Sequence, residues 1–145
     1  MKIYLDTCSL HRPLDSKIQI RIMLEAEAIL GIIGLCETGQ VELVSSEVLV
    51  FEVNRNPQLI RRDFGLEVLS KAKSFVPLNP QIEQRAGRLN KLGLKPLDAL
   101  HLASAEEIQV DYFCTCDDKL LKKVKAMSDV KTKVVSPLEL IEEIE

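Results

Sequence analysis

An α/β fold with a central, mostly parallel sheet is predicted by two features of the chain. Short apolar runs that read as strands recur between longer segments of helical period, and two of those runs end on an aspartate. Ligand sites in such sheets gather beyond the carboxyl ends of the strands, so Asp6 and Asp117 are expected on one rim. No internal repeat, low-complexity tract or linker divides the 145 residues, and one domain over residues 1–145 is expected.

Lys2 to Leu5 reads as the first strand, and the polar, Pro-containing stretch Ser9 to Ser16 as a loop. From about Lys17 the positions Ile18, Ile22, Ala26, Ile29 and Ile33 recur at helical period, and Gly39 supplies a C-terminal stop. Met23, Leu30 and Leu35 add apolar side chains on other faces. This helix is therefore expected to be deeply buried or to form a subunit interface. Val41 to Val44 reads as the second strand, with Ser45 or Ser46 able to N-cap the helix that carries Glu52. Pro57 opens another helical stretch to about Lys73, and Ser74 to Leu78 is a short strand bounded by Pro77 and Pro80. Helices over about Gln81 to Leu92 and Pro96 to Ile108 flank Gly93, and Pro96 suits a first helical position. Tyr112 to Thr115 is a strand, followed by a helix carrying Leu120, Leu121, Val124 and Met127. A strand over Lys133 to Val135 and a short acidic helix complete the chain.

Composition narrows the function classes. A hydrophobic content of 46% with 28% charged residues is globular. Nineteen Lys and Arg against 22 Asp and Glu leave a formal charge of −3, so no global positive field draws in nucleic acid. Binding of that kind must rest on local basic stripes and a metal. Asp6 interrupts the first apolar stretch, unlike a secretory leader, and the uncharged run Ala28 to Cys36 is too short to span a bilayer. A cytoplasmic protein with no membrane association is expected. Cys8, Cys36, Cys114 and Cys116 show no C-x-x-C spacing and read as reduced thiols rather than a zinc site, with Cys114 and Cys116 sharing a buried face. No Gly-rich phosphate loop or G-x-S-x-G elbow is present.

Four acidic residues carry the candidate chemistry. Asp6 and Asp117 close apolar strands, whereas Glu52 and Asp98 interrupt apolar helical patterns, where an unpaired carboxylate is costly to bury. Each has a structural explanation when taken alone. Asp117 or Asp118 can N-cap a helix, Asp98 can serve a helix dipole, Glu52 can point outward, and Asp6 can order a turn with Thr7. Those explanations leave Asp6 and Glu52 in apolar runs without an obvious cation partner. If the fold gathers the four, their repulsion demands a divalent cation, and clustered carboxylates with few nitrogens describe a hard-cation site for Mg²⁺ or Mn²⁺. Glu47 competes with Glu52 but lies roughly 140° away around the helix, in the first turn, where the dipole alone favours it. His101 shares a helical face with Asp98 and reads as a satisfied core histidine or as a neighbour of the site. His11 is a loop residue with little to identify it.

The ordered set Tyr4-Leu5-Asp6-Thr7, Ser46 with Glu52 six residues later, Leu97-Asp98-Ala99-Leu100-His101-Leu102-Ala103 and Thr115-Cys116-Asp117 resembles the PIN-domain family of VapC-like metal-dependent ribonucleases. That family includes the toxin nucleases of bacterial and archaeal toxin–antitoxin pairs. The resemblance spans almost the whole chain. It implies a three-layer α/β/α sandwich in which Asp6, Glu52, Asp98 and Asp117 bind Mg²⁺ or Mn²⁺ and Thr115 helps hold the site. It also implies hydrolysis of RNA phosphodiester bonds by metal-activated water without a covalent enzyme intermediate, and a small antitoxin protein as a partner. Asp118 follows Asp117 and leaves the choice of ligand open, and Leu120 stands where an aromatic is common. Asp15 is either an outer carboxylate or a loop-ordering residue.

Arg12, Lys17, Arg21, Arg55 and Lys119 are candidates for phosphate contacts. Aromatic residues are few, so RNA recognition is expected to rest on shape and single-stranded segments. The long apolar helix from Lys17 to Cys36 suggests a homodimer interface. Two other functions fit part of the pattern. A PIN-like scaffold would bind RNA or a partner without cleaving, against which the intact set of acids argues. A haloacid-dehalogenase-like phosphatase would want a second Asp where Cys8 stands.

Overall fold

A computed structural model describes residues 1–144. Its five strands are β1 (Lys2–Leu5), β2 (Glu42–Ser46), β3 (Ser74–Val76), β4 (Tyr112–Cys114) and β5 (Lys133–Val135). They pair in the order β3-β2-β1-β4-β5, all parallel. The helices are α1 (Thr7–His11), α2 (Ile20–Glu37), α3 (Glu47–Asn54), α4 (Leu59–Leu69), α5 (Pro80–Lys91), α6 (Pro96–Glu107), α7 (Asp118–Lys125) and α8 (Pro137–Ile144). Packing of α2 with α8 and of α5 with α6 covers the sheet in a three-layer α/β/α arrangement. No helix of the described residues is long and apolar enough to cross a membrane.

The strand order explains where a site can form. The chain lays β2 and then β3 on one side of β1, then returns to place β4 on the other side. The reversal opens a crevice beyond the carboxyl ends of β1 and β4, the usual ligand position in open α/β sheets. β1 is the central strand, and Ile3, Tyr4 and Leu5 are fully buried. Leu5 pairs with Cys114, and the Asp6 amide donates to Cys114 O at 3.1 Å, which carries the ladder up to the first acid.

Several boundaries differ from the sequence expectation for local reasons. The stretch Ser9 to Ser16 is largely helical rather than a loop, because the Asp6 carboxylate caps α1 by accepting the Ser9 amide at 3.0 Å. A 3-10 turn over Arg12–Leu14 follows, with Pro13 in its first turn. β2 runs on to Ser46, which ends the strand and caps α3 through the Leu49 amide at 3.1 Å. β3 stops at Val76, before Pro77, which has no amide to donate. α4 ends at Leu69, short of the expected Lys73. α2 begins at Ile20 and buries only part of its apolar surface. Ala26, Ile29 and Ile32 enter the core, while Ile20, Met23, Leu24 and Leu30 stay exposed. Cys114 and Cys116 are both buried, with the Ser9 hydroxyl 3.7 and 3.6 Å from their sulfurs.

Gly65 lets α4 approach the helix that carries Glu52. A Cβ there would lie 2.8 Å from Val53 Cγ1 and 3.0 Å from His11 Nε2, and Val53 is a stiff, fully buried side chain. Gly65→Ala is expected to destabilise by about 1–3 kcal/mol from overpacking, against the ~1 kcal/mol that helix propensity returns. Urea unfolding reads the difference, and an unchanged midpoint would show that α3 and α4 can part freely.

Candidate functional site

Strand ends and a helix start bring three of the acids to one rim, and the fourth approaches from the later part of α3. Asp6 follows β1 and Asp117 follows β4, two neighbouring strands, while Asp98 enters from the first turn of α6 and Glu52 from α3. Asp98 and Asp117 line the same small pocket of about 100 Å³, together with Lys95, Lys119 and Lys123. Burial, and then the charges of Asp6 and Asp117, raise the Asp98 carboxyl above its ordinary value. Asp98 takes part in no side-chain hydrogen bond or ion pair among the described residues, although it is half-buried.

Asp6 is held from several sides. Its Oδ1 accepts the Ser9 amide at 3.0 Å and the Cys8 thiol at 3.1 Å. Burial raises its pKa, opposed by hydrogen bonds from Thr115, Cys8 and Ser9. Thr115 is buried beside two acids, since its hydroxyl accepts the Asp117 amide at 3.0 Å and its proximity to Asp6 opposes the effect of burial on that carboxyl. Asp117 does cap α7, with Oδ1 accepting the Lys119 and Leu120 amides at 3.0 and 3.2 Å. That capping leaves its Oδ2 with no protein donor among the described residues. Asp118 is exposed and pairs with Arg21 at 2.5 Å.

Glu52 is held differently. Among the described residues, both of its hydrogen bonds, from the Thr7 hydroxyl and from His101 Nε2 (2.8 Å), fall on Oε1, and Oε2 has no protein donor. Burial alone would raise this carboxyl, but the hydrogen bonds from His101 and Thr7 outweigh it and hold it below the ordinary range. Glu47 turns away and accepts the Leu78 amide at 3.0 Å.

The donor chemistry fits a hard divalent cation. The gathered groups are oxygens, and none of Asp6, Asp98 and Asp117 has a Lys, Arg or His partner among the described residues. No group of three or more His, Cys, Asp or Glu side chains among the described residues is placed to hold a metal ion by itself. Mg²⁺ does not require such a group, because it keeps several waters and is held through one or two carboxylates.

Some expected contacts are committed elsewhere. Arg12 binds Asp15 at 2.9 Å and faces the buried Glu25 at 3.2 Å, and Arg61 binds Asp15 at 2.5 Å, so Asp15 orders its turn. Lys17 donates to Pro13 O at 2.6 Å. His11 is not an idle loop residue, since its Nε2 lies 3.0 Å from Arg61 O and ties α1 to α4. Arg55 stacks on the half-exposed Phe51 ring at 5.1 Å, beside a cleft of about 570 Å³ that also contacts Thr7, Glu52 and Leu97. The sequence reading missed Thr7, Tyr4 and Ser46 as partners of the site, and Lys95 and Lys123 on its rim. For Tyr4 a signal existed, because a tyrosine inside a buried strand must find a partner for its hydroxyl.

A sequence model described as the PIN domain matches residues 3–126. No curated protein matches the chain significantly. Among solved structures, FitAcB from Neisseria gonorrhoeae superposes with a TM-score of 0.60 at 14% identity, covering 94% of this chain and 98% of that one. PAE2754 from Pyrobaculum aerophilum gives 0.59 at 15% identity, covering 99% and 89%. VapBC2 from Rickettsia felis, bound to a DNA fragment from their promoter, gives 0.57 at 13% identity, covering 93% and 97%. At these identities the likeness is one of fold.

Proposed function

The chain belongs to the PIN-domain family, whose members are generally nucleases, and we propose that it is a Mg²⁺- or Mn²⁺-dependent endoribonuclease. What supports this reading is that Asp6, Asp98 and Asp117 lie at the carboxyl ends of the strands and the start of α6 where the strand order reverses, none with a cationic partner among the described residues, and that burial together with the charges of Asp6 and Asp117 raises the Asp98 carboxyl. The proposed ligands are Asp6, Glu52, Asp98 and Asp117, with Thr115 orienting two of them. Asp118 is left out because Arg21 holds it.

A divalent cation there would supply Lewis-acid chemistry, lowering the pKa of a water and neutralising charge on a phosphoryl oxygen of the scissile phosphodiester. The chain's own groups do the positioning. Thr115 and the Ser9 amide keep Asp6 in one orientation, the α7 amides do so for Asp117, and Thr7 with His101 does so for Glu52. Lys95, Lys119 and Lys123 set positive charge around the acidic pocket, where a phosphate backbone can approach it. On the other side, Phe51 offers an apolar face to a base of a single strand and Arg55 a charge to its phosphate.

The test is cleavage of an end-labelled, mixed-sequence single-stranded RNA with Mg²⁺, Mn²⁺ or EDTA. Cutting that needs the metal supports the nuclease, and no cutting by folded, metal-loaded protein moves the reading to an RNA- or partner-binding scaffold.

Within this reading the protein is the toxin of a toxin–antitoxin pair, restrained by a small antitoxin. Its expression should then arrest growth, and a small protein encoded beside it should both restore growth and inhibit cleavage. A homodimer through α2 is part of the same proposal, resting on the exposed Ile20, Met23, Leu24 and Leu30. Leu24→Glu is expected to convert dimer to monomer in light scattering, and a wild-type protein that is monomeric across micromolar concentrations removes the idea.

A further inference from the structure

Behind Glu52 lies a buried chain of hydrogen bonds that the proposed chemistry does not use directly. The Leu49 amide donates to Ser46 Oγ at 3.1 Å, and Ser46 Oγ lies 2.7 Å from the Tyr4 hydroxyl. The Tyr4 hydroxyl lies 2.7 Å from His101 Nδ1, and His101 Nε2 lies 2.8 Å from Glu52 Oε1. Ser46 and Tyr4 are fully buried and His101 is 2% exposed, so no bulk water substitutes for a missing partner.

Proton bookkeeping selects one direction for this chain. Glu52 Oε1 can only accept, so His101 Nε2 carries the hydrogen. If Nδ1 is the bare nitrogen, Tyr4 donates to it, Ser46 donates to Tyr4, and Ser46 accepts from the Leu49 amide. Every buried donor then has an acceptor. In the reverse direction Tyr4 donates to Ser46, and the Ser46 hydrogen is left without an acceptor among the described residues. The Tyr4 ring is itself immobilised, stacked on Phe113 at 5.2 Å and edge-on to His101 at 5.8 Å.

We propose that Ser46, Tyr4 and His101 form a positioning relay that holds Glu52 in one orientation, with Oε1 occupied and Oε2 presented to the cation. The inference rests on the metal-dependent reading of the site and adds residues that touch neither cation nor substrate. Its members sit on the elements that carry the acids. Tyr4 is two residues before Asp6 on the strand leading into it, His101 is three residues after Asp98 on α6, and Ser46 caps α3, which bears Glu52. The relay therefore fixes three of the four acid-bearing elements relative to one another, while Thr115 ties in the fourth. Outer-shell partners of this kind typically change metal affinity or activity about 10–100-fold when removed.

The experiment pairs a readout that needs no metal with one that does. Long-range ¹H–¹⁵N NMR of the metal-free protein is expected to show His101 as the Nε2–H tautomer, with the Nδ1 resonance of Tyr4→Phe, which keeps the ring packing, shifted to that of a nitrogen that has lost its hydrogen bond while the hydrogen stays on Nε2. Mn²⁺ binding followed by EPR is expected to weaken about 10-fold in Tyr4→Phe and up to about 100-fold in His101→Ala. His101→Gln, which can place an N–H near the lost Nε2, is expected to recover part of the loss. Cleavage kinetics should lose kcat with KM for RNA unchanged. An Nδ1–H tautomer in the wild type, or full Mn²⁺ affinity in Tyr4→Phe and His101→Ala, overturns the relay. A wild type that binds no Mn²⁺ overturns the metal-dependent reading and this role with it, whereas intact binding with the wrong tautomer overturns the relay alone.

Discussion

Asp98→Asn is expected to lower RNA cleavage by on the order of 10³-fold, the several kcal/mol a lost cation ligand removes from the transition state, while the metal-free protein melts higher than wild type. The two effects share one cause. Burial and the charges of Asp6 and Asp117 hold the Asp98 carboxyl above its ordinary value, so its ionisation at neutral pH works against the fold. Asparagine removes that charge and keeps the volume. No hydrogen bond is lost, since Asp98 makes none with the described residues, and each kcal/mol relieved raises the melting temperature by about 2–4 °C. Single-turnover cleavage and thermal melts in EDTA should therefore move in opposite directions, a combination that general misfolding cannot produce. Undiminished cleavage, or a variant that melts well below wild type, sinks the assignment of Asp98.

How much of this was legible in the sequence depended on whether the signal was local. The parallel sheet was readable because each strand is a short run bounded by turn or cap residues, and Asp6 and Asp117 end two of those runs. What failed was also local but weak. Asp6-Thr7-Cys8-Ser9 holds a cap signal, yet the five-residue helix that it starts is too short to show a period. Glu52 presents a subtler case. The sequence singled it out as an acid lacking a cation, and its nearest donors in fact come from Thr7 and from His101, 45 and 49 residues away in the chain. His101 turned out to satisfy both expectations at once, as a buried core histidine and as a neighbour of the site. No spacing rule could have joined Tyr4, Ser46 and His101, because their contacts span 42 and 97 residues and exist only once the sheet is assembled.

The stability gained from Mn²⁺ is expected to grow as pH rises, and the carboxyl groups set the direction. Asp6 and Asp98 both hold protons more tightly in the folded protein than in the unfolded chain, mainly through burial. Between the ordinary value of 3.8 and their raised native values the folded state binds more protons, so raising the pH through that window costs the metal-free protein stability. Glu52 acts in the opposite sense. Its lowered value contributes stability that is present above 4.5 and lost as pH falls through the native value. The metal-free protein should thus lose the Glu52 contribution as pH falls below 4.5, and lose that of the two aspartates as pH rises above 3.8 through their native values. A bound cation competes with protons for the same oxygens, so it adds little where Asp6 and Asp98 are protonated. At a hundredfold excess over Kd in neutral solution it adds about 2.7 kcal/mol. Melts at pH 4.5, 6 and 8 with and without Mn²⁺ test this, with Asp98→Asn alongside. The wild-type shift should widen with pH, and the variant should show both a flatter metal-free profile and a smaller shift. A Mn²⁺ effect of equal size at every pH would mean that the ion binds away from these carboxylates, because only groups that exchange a proton for the cation can make its affinity follow theirs.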